Sequence, residues 1–288
     1  MSYLFEDKVA IVTGAGGGLG RCHALELASR GCKVVVNDLG GTLDGSGGGS
    51  DAAQTVVDEI KAAGGQAIAN GGSVSDPADA RGMVTDAMDA WGRVDVLINN
   101  AGILREDSWT EVSMEDFRLV LEVHLVGTAY VTQAVWPIMM KQNYGRIVLT
   151  SSPSGLFGYP GHSSYAAAKM AQVGLMNTLK IEGAKSNVHT NVISPVAGTR
   201  MTEGKVPEEV FKALGPELVT PAVVYLCTSD APNGVILQAQ AGKFSVACVM
   251  ENEGMQLGAG ATVEDIAANY EQIVDLTNVK PRDMLPLG

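Results

Sequence analysis

Short apolar runs alternate with helix-length patterns through most of the chain, and this alternation limits the possible folds more than any other feature of the sequence. KVAIVT (8–13), KVVVND (33–38), QAIAN (66–70), VDVLIN (94–99), GRIVLTS (145–151) and VHTNVIS (188–194) have the length and β-branched content of buried strands. Between them lie helical patterns at 19–30 (ended by Gly31), 51–63 (ended by Gly64 and Gly65), 77–91, 114–141 and 163–186. Pro137 is expected to interrupt the helix over 114–141 near its end. Strand–helix–strand repetition with right-handed crossovers gives an α/β fold. It is a doubly wound parallel sheet with helices on both faces and ligands at the carboxyl ends of the strands. One domain over 1–288 is expected, with a substrate loop at 195–215 and a C-terminal extension at 230–288. Further helices are expected near 207–214 and 220–229. Apolar runs flank Gly242, and a helical pattern at 263–275 finishes the chain.

Chemistry-bearing residues fall at the strand ends. TGAGGGLG (13–20) follows the first strand and opens the first helix. In that context Gly14, Gly18 and Gly20 allow a tight turn and close approach of the backbone to a pyrophosphate, which then meets the free N–H groups of the helix N-terminus. Asp38 ends the second strand, where a carboxylate can accept hydrogen bonds from the adenosine ribose and repel a 2′-phosphate. Neither Gly17 nor Leu39 brings a compensating cation, so NAD is the expected cofactor rather than NADP. Asn99-Asn100-Ala101-Gly102 ends the fourth strand with small residues and amides that pack beneath such a ligand. The glycine-rich stretch 39–51 reads as a flexible surface loop, or alternatively as a flap near the adenosine.

The stretch TSSPSGLFGYPGHSSYAAAK supplies a hydroxyl, a phenol and an ammonium. Tyr165 and Lys169 are four residues apart on one helix face, with Ser152 arriving from the preceding strand end. Among the seven tyrosines only Tyr165 has lysine four residues on. A positive charge favours the phenolate, and a phenolate can take a proton from an alcohol. With a dinucleotide alongside, the expected reaction is hydride transfer from a secondary alcohol carbon.

The net charge of −12 and a pI near 4.7 argue against a nucleic-acid partner. No run of 18 or more apolar residues is present, so no membrane span is expected. Cys22, Cys32, Cys227 and Cys248 have no metal-ligand spacing and read as buried thiols, and His23, His124, His162 and His189 form no metal-binding pattern. No metal is expected. MSYLFEDKVAIVTG is acidic and runs straight into a strand, unlike a secretory leader, and PRDMLPLG has no peroxisomal or retention tripeptide. A cytoplasmic location is expected. The small and apolar residues of 164–177 suit a homodimer or homotetramer face.

Taken as a set, T-G-x-x-x-G-x-G at 13–20, N-N-A-G at 99–102, Ser152 and Y-x-x-x-K at 165–169 resemble the short-chain dehydrogenases/reductases. The resemblance covers roughly 5–230. It implies a Rossmann fold, Tyr165 as general base, Lys169 binding the nicotinamide ribose and lowering the Tyr165 pKa, and Ser152 holding the substrate oxygen. The cofactor set it implies is Gly14, Gly18, Leu19, Gly20, Asp38, Ser73, Val74, Asn100, Ala101, Gly102, Tyr165, Lys169, Pro195, Val196 and Thr199. VVVNDLGG (34–41), NNAGILRE (99–106), EVHLVGT (122–128), YGRIVLTSS (144–152), IEGAKSNVH (181–189) and AGTRMT (197–202) are more narrowly similar to the (3R)-hydroxyacyl-CoA dehydrogenase units of peroxisomal multifunctional enzyme type 2. That likeness implies an acyl-CoA alcohol as substrate, with a hydroxysteroid as the alternative and a non-catalytic NAD-binding scaffold as a reading of a different class. Phe157, Tyr159, Met201 and Val206 are the apolar candidates for the substrate cleft, and Arg200 and Lys205 for CoA phosphates. Two positions depart from the family pattern. His124 stands where asparagine is usual, and is read as a fourth catalytic relay member or else as a buried structural histidine. Ser73-Val74 replaces the usual Asp-Val at the adenine.

Overall fold

In a computed structural model, residues 4–49, 51–204 and 206–281 are described. The first strand, β1 (Val9–Thr13), is buried at every position, as a strand covered on both faces must be. The alternation expected from the sequence is realised as α1 (Gly18–Ser29), β2 (Lys33–Asn37), α2 (Ala52–Ala62), β3 (Gln66–Asn70), α3 (Pro77–Trp91), β4 (Val96–Asn99), α4 (Met114–Leu121), α5 (Gly127–Gln142) and β5 (Gly145–Thr150). The short α6 (Pro153–Phe157) then precedes α7 (Ser163–Gly183) and β6 (Val188–Val196), followed by α8 (Glu208–Ala213), α9 (Thr220–Leu226), β7 (Ile236–Gln240) and β8 (Lys243–Ala247). The sheet order is β3-β2-β1-β4-β5-β6-β7-β8, and every pair from β3 through β7 is parallel. β1 lies between β2 and β4, so the chain direction of winding reverses there. A crevice opens at that reversal, outside the carboxyl ends of the strands.

Several expectations need revision. Pro137 does not interrupt its helix, since α5 runs through it to Gln142. Pro137 and Gln133, whose carbonyl loses its helical donor, both face solvent, where water can satisfy that carbonyl. The irregularity lies earlier, where Glu122–Val126 forms a π-helical turn between α4 and α5 and carries His124. The continuous helical stretch Met114–Gln142 holds an 18-residue window of mean hydropathy 1.2, and by length and composition could cross a membrane. Its apolar side chains Val120, Val131, Val135 and Met139 are nevertheless buried, and the helices pack on α3, α7, β4 and β5. Cys32 and Cys227 are buried as expected, but Cys22 is only half-buried and Cys248 is exposed.

The stretch expected as an extension from 230 is not one piece. β7 and β8 join the sheet, with the turn at Ala241 and Gly242 in the left-handed region (φ 46° and 78°). The chain divides into two compact units at Val246. In the second, β9 (Met250–Glu251) pairs antiparallel with β10 (Lys280–Pro281), and α10 (Val263–Ala268) opens with a Thr262–Asp265 capping box before α11 (Tyr270–Ile273). The Asn252 side-chain amide donates to the carbonyls of Ile273 (2.7 Å) and Asp275 (2.9 Å) and so closes that unit.

Candidate active site

A cavity of about 730 Å³ occupies the crevice, and most of the residues singled out in the sequence line it. At one end is the turn between β1 and α1. Gly14 has φ +62°, and a Cβ there would sit 2.7 Å from the Ala101 Cα, so backbone meets backbone. Gly20 lies behind the turn, where a Cβ would fall 2.3 Å from the Gly14 carbonyl oxygen and 2.6 Å from Asn100 Nδ2. The Asn100 amide bonds the Thr13 and Gly14 carbonyls at 3.0 Å each, fixing β4 to the turn. Gly17, the N-cap of α1, supplies no side-chain cap, and a Cβ built on it meets nothing within 4 Å. An uncapped helix N-terminus facing open space suits the phosphates of a dinucleotide.

Asp38 stands beside this cradle. Its Oδ2 accepts from Gly16 N (2.8 Å) and its Oδ1 from Gly40 N (2.8 Å), so the carboxylate is fixed while still lining the cavity. Leu19, Ser73, Val74, Pro195, Val196 and Thr199 line it as well. The stretch after Asp38 is a cavity wall and not a free surface loop. Thr42 N bonds Ser46 O (2.8 Å), Gly49 N bonds Leu39 O (2.8 Å), and Leu104 N reaches across to Leu43 O (3.0 Å).

At the other end, β5 delivers Ser152, which is buried and forms the N-cap of α6 by accepting from Ser154 N (3.2 Å). Tyr165 is in the first turn of α7 and Lys169 one turn later, with its Nζ 5.5 Å from the Tyr165 ring centroid. Nζ donates to the Thr150 carbonyl (2.6 Å), and the Lys169 carbonyl accepts from Ser151 Oγ (2.7 Å). A Cβ on Gly155 would come within 2.8 Å of the Lys169 Cβ, so α6 lies hard against α7 and holds Ser152 close to the tyrosine. Burial shapes the electrostatics. It pushes Lys169 down to about 7 and raises the Tyr165 phenol, a rise that the hydrogen bond from Ser152 partly offsets and the Glu106 charge adds to.

His124 is buried within the π-helical turn. Its Nε2 lies 2.7 Å from the Ile103 carbonyl oxygen and 3.1 Å from Ile103 N, while its Nδ1 has no partner among the described residues. Its ring meets that of Tyr165 edge-on, centroids 5.2 Å apart. Burial, helped by the nearby Lys169, lowers its pKa to about 3, so the imidazole is neutral. A Cβ on Gly102 would be 2.3 Å from its Cε1, so glycine at the end of N-A-G makes room for this ring.

One pair on the cavity wall escapes a sequence reading. Glu106 Oε1 and His162 Nε2 are in hydrogen-bond contact, and His162 Nδ1 lies 3.1 Å from Ser154 Oγ. The two residues are far apart in sequence; the only local signal is a polar ring three residues before Tyr165. Of the substrate candidates, Tyr159, Arg200, Met201 and Val206 line the cavity. Phe157 does not, and is 71% exposed on the outer side of α6. Lys205 lies outside the described residues.

The pattern of the short chain dehydrogenase family matches residues 8–209. This chain belongs to the short-chain dehydrogenase family. As a short-chain dehydrogenase it is an oxidoreductase acting on CH–OH groups with a nicotinamide cofactor. Peroxisomal multifunctional enzyme type 2 of Drosophila melanogaster is 47% identical over 281 residues, covering 96% of this chain and 46% of its own length. The full-length structure of that enzyme matches with a TM-score of 0.81 and 40% identity, over 98% of this chain and 48% of that one. The short-chain dehydrogenase described here thus spans about half the length of this multifunctional relative. A Mycobacterium tuberculosis protein named as a short-chain type dehydrogenase/reductase is 46% identical over 276 residues and 96% of both chains. A 7α-hydroxysteroid dehydrogenase solved with NADH and a 7-oxo bile acid matches with a TM-score of 0.75 and 30% identity, over 83% of this chain and 95% of that one.

Proposed function

We propose that this dehydrogenase oxidises a (3R)-hydroxyacyl-CoA to its ketone with NAD⁺. Asp38 is the observation that carries the cofactor choice. A carboxylate pinned by two backbone N–H groups beside the glycine turn accepts ribose hydroxyls and repels a 2′-phosphate. NAD⁺, held by the glycine turn and Asp38, would supply the hydride acceptor and a positive charge. Within the protein, Ser152 Oγ holds the substrate oxygen and Tyr165 Oη takes its proton. Lys169 stands behind Tyr165 as the second positive group, its Nζ held by the Thr150 carbonyl and its pKa lowered to about 7 by burial. The relay read for His124 has one ring atom open to it, Nδ1, since Nε2 is occupied by Ile103.

The acyl-CoA class rests on the likeness to peroxisomal multifunctional enzyme type 2, supported by Tyr159, Met201 and Val206 as apolar wall and Arg200 as a cation on the cavity. A hydroxysteroid is the second reading, supported by the likeness to the 7α-hydroxysteroid dehydrogenase. A homo-oligomer is supported by the exposed stripe of small and apolar residues Ala167, Met170, Gly174 and Ile181 along α7. NAD⁺ and NADP⁺ reduction with (3R)-hydroxyacyl-CoA and with a hydroxysteroid tests the reading. The highest kcat/KM is expected for NAD⁺ with the acyl-CoA; preference for NADP⁺ or for the steroid would sink that part of it. Asp38→Arg is expected to shift the NADP⁺/NAD⁺ ratio of kcat/KM upward by about tenfold or more, because the repelling charge becomes a phosphate partner.

A further inference from the structure

We propose that Glu106 and His162 form a positioning pair that tunes Tyr165 as a base, the carboxylate opposing the phenolate and the imidazole opposing the carboxylate. The inference rests on the reading of Tyr165 as the base. It comes from the segment 103–107, which runs along the cavity and is bonded to the surrounding wall at each successive residue. Ile103 contacts His124, Leu104 N bonds Leu43 O, and Arg105 Nε bonds Asp44 O (2.9 Å) while its guanidinium pairs with Asp116 of α4. Glu106 meets His162, and Asp107 N bonds Gly161 O (3.1 Å). Glu106 is thereby held at a fixed place on the wall.

His162 links that place to the tyrosine. It is the N-cap residue of α7, its carbonyl accepts from Ala166 N (2.6 Å), and Tyr165 sits in the helical turn so begun. The two rings meet edge-on with centroids 5.6 Å apart, and Tyr159 packs on the other side of the imidazole at 4.7 Å. A carboxylate only accepts, so His162 Nε2 carries a hydrogen toward Glu106. Ser154 Oγ can donate or accept at Nδ1, so the contact holds with the ring neutral or charged. The other groups facing Tyr165 are Lys169 on its own helix, neutral His124 from the π-helical turn and the Ser152 hydroxyl from β5. Among the described groups that act on the phenol, Glu106 is the acid, and its charge works against ionisation of Tyr165. Glu106 is a third open to solvent, which limits the effect by screening.

The two single substitutions therefore act with opposite sign. Glu106→Gln removes a negative charge, so the phenolate forms at lower pH and the acid limb of kcat/KM for alcohol oxidation moves down by about half a unit to one unit. His162→Phe keeps a ring against Tyr159 and Tyr165 but offers Glu106 no hydrogen, and the limb moves up by a similar amount. His162→Gln, which keeps a donor, moves it less in the same direction and serves if the phenylalanine variant does not fold. In the double variant Glu106→Gln/His162→Phe the limb stays where Glu106→Gln alone puts it, because the imidazole acts only through the carboxylate. Losses of kcat with the limb unmoved, or moved the same way by both single variants, would overturn the pair's role. Tyr165→Phe assayed in parallel separates the two failures. Retained turnover there overturns the base assignment itself, whereas a dead Tyr165→Phe with an unmoved limb overturns only the pair.

Discussion

Tyr165→Phe loses turnover by about 10²- to 10⁴-fold, the range that a positioned general base contributes, while cofactor affinity stays within about threefold. The phenylalanine keeps the edge-on contact with His124 and the start of α7, so the variant differs by one oxygen in a wall that remains packed. Without that oxygen the substrate hydroxyl faces Ser152, which cannot take its proton because a serine hydroxyl is a far weaker base. Lys169 lies one helical turn further on, its Nζ 5.5 Å from the centroid of the Tyr165 ring and donating to the Thr150 carbonyl. Most of the proposed cofactor contacts lie at the glycine turn, Asp38 and the end of β4, which the substitution leaves intact. Rapid-mixing measurement of cofactor reduction, paired with a fluorescence titration of the reduced cofactor, reads the two quantities separately. A variant that keeps more than a tenth of the parent rate refutes the role assigned to the phenol.

Arg146→Met destabilises the fold by about 3–5 kcal/mol and leaves turnover per folded molecule unchanged. Arg146 is buried at the amino end of β5, and among the described residues no carboxylate pairs with it. Its guanidinium instead donates to the carbonyls of Thr228, Gly145, Asn187 and Ser229 at 2.8–3.0 Å and to Asn187 Oδ1 at 3.1 Å, with the Tyr144 ring 4.4 Å away. Thr228 and Ser229 follow α9 and Asn187 precedes β6, so one side chain ties these segments together at the amino end of the central strands, opposite the cavity. Methionine fills much of the volume but leaves the carbonyls without donors. A fall in Tm of about 10 °C is expected for a chain of this size. Arg146→Lys, with the charge but not the planar fork, falls between. The reacting end of β5 is about 20 Å further along the strand, so kcat is the internal control. A Tm within about 2 °C of the parent would show that water or repacking replaces the guanidinium.

Legibility in the sequence followed the range of the interactions involved. Strands such as KVAIVT and KVVVND were readable because continuous β-branched runs have few other uses in a soluble fold, and the glycine turn because its spacing serves a backbone purpose. Ser152, Tyr165 and Lys169 could be placed together because a strand end and one helical turn relate them. The π-helical turn could not be read, since one extra residue in a helix leaves hydrophobic spacing nearly intact. Pro137 misleads in the sequence, because whether a proline breaks a helix depends on which side of it meets water. The contact of Glu106 with His162 joins two loops with no shared periodicity, and only the fold shows that 103–107 runs beside 158–162. The same holds for 39–49, whose composition suggests freedom while its bonds to Leu104 and Arg105 give it a wall.

Those bonds along 103–107 bear on how such an enzyme can be re-engineered. Exchange of a substrate loop usually assumes that each loop is an independent module. Here an insertion or deletion of a single residue between Ile103 and Asp107 shifts the partners of Leu43, Asp44, Asp116, Gly161 and His162 together. A working chimera must therefore transplant 39–49, 103–107 and 158–162 as one cassette, and point substitutions outside that cassette are the cheaper route to a new substrate.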